Sequence, residues 1–392
     1  MKRILADLSV FGTLHSGGIW NAAEEILNGL LDSAADCELL LLVRSQNREA
    51  AEKRFPRCRV FTIPTGEVES AEKLWGAEGC LYRTRLYEPY TLPLCPDVIW
   101  LPYTAPYNYY RTSVPTVFTV HDLIPLHEAG ERPPLPEQYR DMAEAADRLV
   151  SISNFVRDDL VHTLGIAPER IERIYSPVTV DTGHTEPVPE LVSTPYILEM
   201  NSYEPRKNKQ TVLKAFARMQ SRCTHHLVFC GAYAEDRALR PLMLNACLMG
   251  LTPRVHFLHR VSDGQKNWLL KNASLLVSAS VMEGFGRTPV EAAMCVVPVI
   301  TAGREPLPEA TMGLTRYVDD PFDAAGFAAA MEELLACPPE KAAAETIAGQ
   351  LREAYAPTAA AQRYLHLFEN VRVQPYKGRT GHTQNKIETE RT

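Results

Sequence analysis

The sequence predicts an α/β protein: two doubly wound parallel sheets, each covered by helices on both faces, meeting across a cleft. Three observations lead there. The chain has 392 residues, more than one hydrophobic core usually serves, so two domains of roughly 150–200 residues are expected. Short runs rich in Val, Ile and Leu recur, each followed by a turn and then by helix-period sequence, which is the pattern of parallel βα units. These runs fall into two series separated by one stretch that has no apolar period.

The first series is ILADLSV (4–10), ELLLLVR (38–44), CRVFTIP (58–64), DVIWLPY (97–103), TVFTVHD (116–122) and RLVSIS (148–153). It defines a Rossmann-like domain over residues 1–178. In SPVTVDTGHTEPVPELVSTP (176–195), proline, threonine and acid replace periodicity, and the linker is placed at 179–193. The second series is YILEM (196–200), HLVFCG (226–231), RVHFLHRV (254–261), LLVSAS (275–280) and VVPVIT (296–301), in a second Rossmann-like domain over 194–356. Helical periodicity then runs on, broken at Pro338, Pro339 and Pro357, so a further helix is expected over 357–372 and a polar flexible tail over 373–392.

Composition removes several function classes. A formal charge of −7 argues against a nucleic-acid partner, which needs a basic surface to displace counterions. Basic residues cluster in RSQNREAAEKRFPRCR (44–59) with acids interleaved. That run reads as a solvated helix face, with peripheral contact to an anionic membrane surface as the alternative. Nine cysteines stand singly, without CxxC spacing, so neither a zinc site nor a disulfide framework is indicated and a reducing cytoplasm is expected. The start of the chain lacks a signal-peptide apolar region, and no segment approaches the ~18 apolar residues of a membrane span. The expected location is cytoplasmic, with any membrane contact peripheral and at the inner face.

Ligands of doubly wound sheets bind at the carboxyl ends of the strands, and five loops there carry candidate residues. In VMEGFGRTPVEAAMC (281–295), Glu283 and Glu291 stand eight apart across a turn holding Gly284 and Gly286. Thr288, Pro289 and Glu291 fit N-cap, N1 and N3, a capping box. Capping leaves Glu283 and the glycines unexplained, whereas a tight glycine turn opening a helix suits an approaching anion. In EMNSYEPRKNKQ (199–210), Arg206, Lys207 and Lys209 crowd the start of a helix, where cations oppose the helix dipole unless an anion is bound. A diphosphate would be such an anion; a solvated turn, with Lys209 pointing to water, is the bland alternative.

His121 and Asp122 end the strand TVFTVHD, where a histidine either handles protons or simply bonds a neighbouring carbonyl. Gly17 and Gly18 follow the first strand in a loop that is not the GxGxxG fingerprint and that a plain turn explains nearly as well. HRVSDGQ (259–265) places Val261 where backbone could meet a nucleotide base, with Ser262 or Asp263 as helix cap. Walker A, HExxH, GxSxG and DxD patterns are missing, so chemistry without a metal is expected.

At this point the residues resemble a known family. EGFGRTPVEA (283–292) looks like the E-x7-E motif of retaining glycosyltransferases of the GT-B fold, particularly family four. EPRKN (204–208), HDLIPL (121–126), ADRLVSISNFVRDDL (146–160) and LGIAPERI (164–171) are similar to further landmarks of that family in the expected order, across about residues 1–370. The resemblance implies that Arg206 and Lys207 hold the diphosphate of a nucleoside-diphosphate sugar and that Glu291 binds ribose hydroxyls. It implies that Glu283 contacts the transferred sugar, helped by backbone amides around Phe285 and Gly286. Gly17 and Gly18 would face the diphosphate from the first domain, His121 would lie beside the sugar, and the last helix would cross back.

The implied activity is transfer of a hexose, with mannose from GDP-mannose as first expectation, to a saccharide or lipid-linked saccharide, retaining anomeric configuration, in surface-polysaccharide synthesis. No cofactor beyond the nucleotide sugar is implied. An epimerase on the same fold and a non-catalytic nucleotide-sugar-binding protein are the alternatives. The aromatic run PYTAPYNYY (102–110) is a candidate acceptor surface. Three departures concern the donor side: Arg287 and Thr288 stand where the family favours leucine and proline, Val296 where it favours glycine, and SPVTVD replaces asparagine-glycine-valine-aspartate at the linker. Arg287 would either add a phosphate contact or face solvent.

Overall fold

The computed structural model describes residues 2–12, 14, 17–33, 37–63, 96–104, 106, 109, 114–128, 135–231, 236–259 and 261–373. Arg260, much of the 102–110 aromatic run and the expected tail from residue 374 lie outside the described residues. The first sheet holds β1 (Lys2–Asp7), β2 (Cys37–Arg44), β3 (Arg59–Ile63), β4 (Val98–Leu101), β5 (Thr116–Val120), β6 (Arg148–Ser151) and β7 (Ile171–Arg173). The second holds β8 (Tyr196–Met200), β9 (His226–Cys230), β10 (Val255–Leu258), β11 (Leu275–Ser278), β12 (Val299–Ala302) and β13 (Arg316–Val318).

Strand order is β3-β2-β1-β4-β5-β6-β7 in one sheet and β10-β9-β8-β11-β12-β13 in the other. Every pair is parallel, including β1 with β4 (Ile4 opposite Val98) and β8 with β11 (Leu275 opposite Ile197). Both sheets are therefore the doubly wound arrangement, whose order reverses between β1 and β4 and again between β8 and β11. Those reversals open a crevice at the strands' carboxyl ends. The strands are apolar on both faces because helices cover both: Leu40 to Val43 of β2, and Ile197 and Leu198 of β8, are buried throughout.

The two terminal strands, β7 and β13, are the elements that the hydrophobic runs do not reveal. Each has three residues at a sheet edge, IER and RYV, too short and too polar to stand out as a strand. The segment between the sheets is tied down at several points: Val178 N–H donates to Tyr355 O (3.0 Å) and Glu186 N–H to Gly264 O (2.9 Å).

Helix Pro357–Asn370 lies on the first helix, Gly18–Ser33. A Cβ at Gly29 would come within 2.5 Å of the Pro357 carbonyl, so only glycine permits the crossing. Tyr364 and Phe368 are buried against Trp100, and Thr119 Oγ1 hydrogen-bonds both the indole N–H (3.0 Å) and the Tyr364 hydroxyl (3.0 Å). The last helix thus completes the core of the first sheet. Side chains of this size contribute about 1.5–3 kcal/mol each when buried.

The basic run 44–59 carries little unanswered charge. Arg48, Arg54, Arg57 and Arg59 pair with Glu52, Glu24, Asp32 and Glu38, which favours the solvated-face reading. Among the described residues no helix is long and apolar enough to cross a membrane. Val296 stands at φ 64°, the left-handed region that a β-branched residue enters only with strain.

Candidate functional site

The second sheet's reversal point is where charge converges. The loop after β8 winds into a 3₁₀ turn, Pro205–Lys207, and Asn208 follows in the left-handed conformation at φ 50°. Its amide donates to Ala279 O (3.2 Å) and Pro321 O (2.6 Å), while its Oδ1 accepts from Thr211 Oγ1 (2.9 Å). These bonds aim Lys207 across the reversal point at the loop after β11. Lys207 Nζ donates to both oxygens of Glu283 (2.6 and 2.7 Å), and both side chains are about nine-tenths buried. Arg206 lies alongside, bonded to Met282 O (3.1 Å), 3.6 Å from Glu283 and 3.8 Å from Glu128 of the first domain.

The glycines of that loop are required by what they touch. A Cβ at Gly284 would fall 2.1 Å from the His121 carbonyl, and Ser153 Oγ donates to Gly284 O (2.9 Å). Gly286 has φ +100° with the Leu307 side chain against its Cα, so an L side chain there would meet both strain and collision. Phe285 between them turns inward, packed edge-on against Tyr355 at 5.2 Å between ring centres.

The helix that follows, Arg287–Met294, begins at Gly286 and has no side-chain cap. The expected capping box of Thr288 and Glu291 is therefore absent. Glu291 is committed elsewhere: Lys266 Nζ donates to its Oε1 (3.0 Å), and Arg287 Nη2 lies 3.7 Å from the same oxygen. Burial alone would push this carboxyl up, but Lys266 and Arg287 outweigh it and hold the group below its ordinary range. A true capping box closes the neighbouring helix Asp263–Asn272, where Ser262 and Gln265 reciprocate; Ser262 is one of the two caps the sequence suggests, and Val261 immediately precedes it.

Arg287 neither faces solvent nor stands free for a phosphate. It is buried between the domains, bonded to both oxygens of Glu25 (2.9 and 3.0 Å) and to the Pro177 carbonyl. Gly18, at the start of the helix carrying Glu25, would place a Cβ 3.4 Å from Arg287 Cδ. Gly17, at φ +139°, accepts from Asn21 N–H (2.9 Å). Lys209 also departs from expectation. Neither facing an anion with Arg206 and Lys207 nor pointing to water, it turns into the core, where Nζ bonds Glu199 and lies 4.6 Å from the centre of the Tyr203 ring.

His121 closes the site from the first domain. It is buried, and its Nε2 lies 2.8 Å from Pro102 O, so that nitrogen carries the proton. Burial brings its pKa down to about 4, with Arg287 acting in the same direction against the Pro102 bond, which leaves a neutral imidazole at pH 7. Asp122 beside it is pushed up by burial. Sequence reasoning missed Lys266, Glu25 and Glu309, the last of which accepts from Asn154 N–H (2.6 Å) and Phe155 N–H (3.1 Å) at a first-domain helix start. None sits in a motif, and each gains its role only when distant segments meet. Among the described residues no group of three or more His, Cys, Asp and Glu is placed to hold a metal.

Such a cluster of cations, carboxylates and close-packed glycines on two facing doubly wound domains can hold an anionic, hydroxyl-rich ligand. Comparison with known families decides what it belongs to. Residues 16–182 match Glycosyltransferase Family 4 and residues 186–350 match Glycosyl transferases group 1. The chain belongs to the family 4, group 1 glycosyltransferases. Among its relatives, an alpha-1,3/1,6-mannosyltransferase of Dictyostelium discoideum is 32% identical over 142 residues, covering 32% of this chain and 34% of that protein. An O-antigen chain mannosyltransferase of Salmonella typhimurium is 27% identical over 154 residues, 39% of this chain and 41% of that one. The chain thus matches about a third to two fifths of these relatives' own length. In three dimensions it resembles Anabaena HepE, solved with UDP and glucose, at a TM-score of 0.70 and 16% identity over 94% of this chain and 100% of that one, a likeness of fold, GT-B.

Proposed function

We propose that the protein transfers a hexosyl group from a nucleoside-diphosphate sugar to a saccharide or lipid-linked saccharide, with retention at the anomeric carbon. The observation that carries this reading is the Arg206–Lys207–Glu283 cluster at the β8/β11 reversal point, pressed against His121 through Gly284. The diphosphate takes Glu283's place on Lys207 and Arg206, and the released Glu283 accepts hydrogen bonds from sugar hydroxyls. Glu291 accepts from the ribose hydroxyls. Backbone around Phe285, Gly286 and Val261 and the Gly17–Gly18 loop line the rest of the donor.

In the transfer step the bond from the anomeric carbon to the diphosphate oxygen breaks as the acceptor hydroxyl bonds to that carbon on the same face. The acceptor proton passes to the departing phosphate oxygen. Arg206 and Lys207 are preorganised where that negative charge develops, so the reaction needs no protein nucleophile. In this reading the two side-chain cations neutralise the charge and no metal cofactor is invoked. His121, neutral and bonded to Pro102, presents a polar surface to the sugar without adding charge.

Mannose from GDP-mannose is the proposed donor, supported by the two mannosyltransferase relatives. A UDP-sugar is the second reading, favoured by the UDP and glucose bound in the Anabaena structure. Surface-polysaccharide synthesis in the cytoplasm is the corresponding setting. Thermal unfolding with GDP, UDP and ADP tests the reading, because a ligand at about 100 times its dissociation constant adds roughly 2.7 kcal/mol. One nucleotide is expected to raise the unfolding temperature selectively; no shift with any of the three rejects the donor site.

A further inference from the structure

Glu291 belongs to a chain of charges that runs from one domain into the other. Lys266, on helix Asp263–Asn272 beside Val261, bonds Glu291. Arg287, one turn before Glu291, lies 3.7 Å from the same oxygen and bonds both oxygens of Glu25 in the first domain. Glu25 in turn accepts from Thr179 N–H (2.9 Å) and Thr179 Oγ1 (2.6 Å), just past the first sheet, and Arg287 also holds the Pro177 carbonyl. Lys266, Glu291, Arg287 and Glu25 thus link the end of β10, the donor-side helix, the first helix and the connecting segment. All but Lys266 are close to nine-tenths buried or more at the side chain.

A carboxylate taken out of water stays ionised only if cations answer it. It stays in one place only if those cations are themselves held. Lys266 is anchored by a capped helix, whereas the long Arg287 side chain is held by Glu25 and the Pro177 carbonyl, of which only Glu25 answers its charge. We propose that Lys266, Arg287 and Glu25 are positioning residues for Glu291, so that the ribose-binding carboxylate of the donor domain is set in charge and orientation by a side chain of the opposite domain. The proposal rests on the ribose role given to Glu291 above. The other titratable neighbours are Cys295 one turn on, pushed up by burial with Glu291 adding to the effect, and Arg352 beyond it.

The test is binding of GDP-mannose, UDP-glucose and ADP-glucose to wild type and variants across pH, because the diphosphate diester of a nucleotide sugar does not itself titrate between pH 4 and 8. Lys266→Met should move the acid limit of binding up by about one pH unit or more, as loss of an adjacent opposite charge does to a buried carboxyl. Lys266→Arg should restore it. Glu25→Gln, which removes the charge that answers Arg287, should raise the dissociation constant by about 2- to 30-fold. The double variant Glu25→Leu with Arg287→Leu replaces a buried ion pair by apolar side chains and should keep the fold while binding more weakly than wild type. An unmoved acid limit in Lys266→Met, or wild-type affinity in either Glu25 variant, overturns the proposal while the donor reading stands. Failure of wild type to bind any of the three sugars overturns the donor reading itself, and this proposal with it.

Discussion

Two lysine–glutamate pairs, whose lysines stand two residues apart along the chain, occupy contrasting surroundings in this molecule. Lys207 and Glu283 meet at the mouth of the reversal point, with Arg206, Asp122 and the His121 backbone around them. Lys209 and Glu199 meet beneath, with Tyr203 and Phe229 as walls and Asn201 bonded to the second carboxylate oxygen (2.7 Å). The left-handed Asn208 between the lysines sends one across to the loop after β11 and the other down into the core. In the proposed reading a diphosphate exchanges with Glu283 on Lys207, whereas no ligand can reach Glu199 at 0% exposure. On that reading the two lysines differ in access to their partners, not in chemistry: Glu283 is 8% exposed and Glu199 is sealed.

The largest effect is expected at the inner pair. Burial drives the Lys209 pKa well down, so the ammonium depends on Glu199, and removing one partner of such a pair costs about 3–5 kcal/mol. Glu199→Gln should therefore unfold at a clearly lower denaturant midpoint. Glu199→Leu combined with Lys209→Met should recover much of the loss and still bind nucleotide. If Glu199→Gln were as stable as wild type but unable to bind nucleotide, the two pairs would have to exchange roles.

At the outer pair the loss should fall on turnover instead. Lys207→Ala removes the donor proposed to face the departing diphosphate, and loss of such a donor is typically worth about 2.7–4 kcal/mol, or roughly 100- to 1000-fold in rate. Arg206 remains 3.6 Å from Glu283 to answer its charge, so the fold should survive. Steady-state kinetics beside a melting curve separates the two: near-normal turnover in a folded Lys207→Ala protein ends the diphosphate assignment.

The same contrast shows how far the sequence could be read. Two domains, eleven of the thirteen strands among the described residues and the loops bearing Lys207, Glu283, Glu291 and His121 follow from apolar runs and the turns after them. The three-residue edge strands do not, because sheet neighbours rather than propensity make them strands. Lys209 cannot be placed from its neighbours: at a helix start a cation reads as facing an anion or water, and only the Glu199 carboxylate arriving from β8 makes its burial tolerable. Glu291 reads as a capping residue from its spacing to Thr288, yet the helix opens at Gly286 and the carboxylate goes to Lys266. Arg287 could not be placed from sequence because its partner, Glu25, is 262 residues away.

The smallest expected effect concerns the wall of the outer pair and works through pH. His121 has a folded-state pKa of about 4 against 6.5 ordinarily, chiefly because it is buried. As pH falls below 6.5 the unfolded chain takes up a proton that the folded chain refuses, so this contribution to stability is complete above pH 6.5 and drains away toward pH 4. At pH 5.5 the loss should be about 1 kcal/mol, since one pKa unit corresponds to about 1.4 kcal/mol. His225, His226 and His256 are shifted in the same direction by burial, so the whole protein should lose stability over this range and only a variant isolates His121. In His121→Gln the unfolding free energy should depend less steeply on pH between 6.5 and 5 than in wild type. Equal slopes would mean that the site admits a protonated imidazole beside Arg287, and that the neutral wall proposed for the sugar is not maintained by burial.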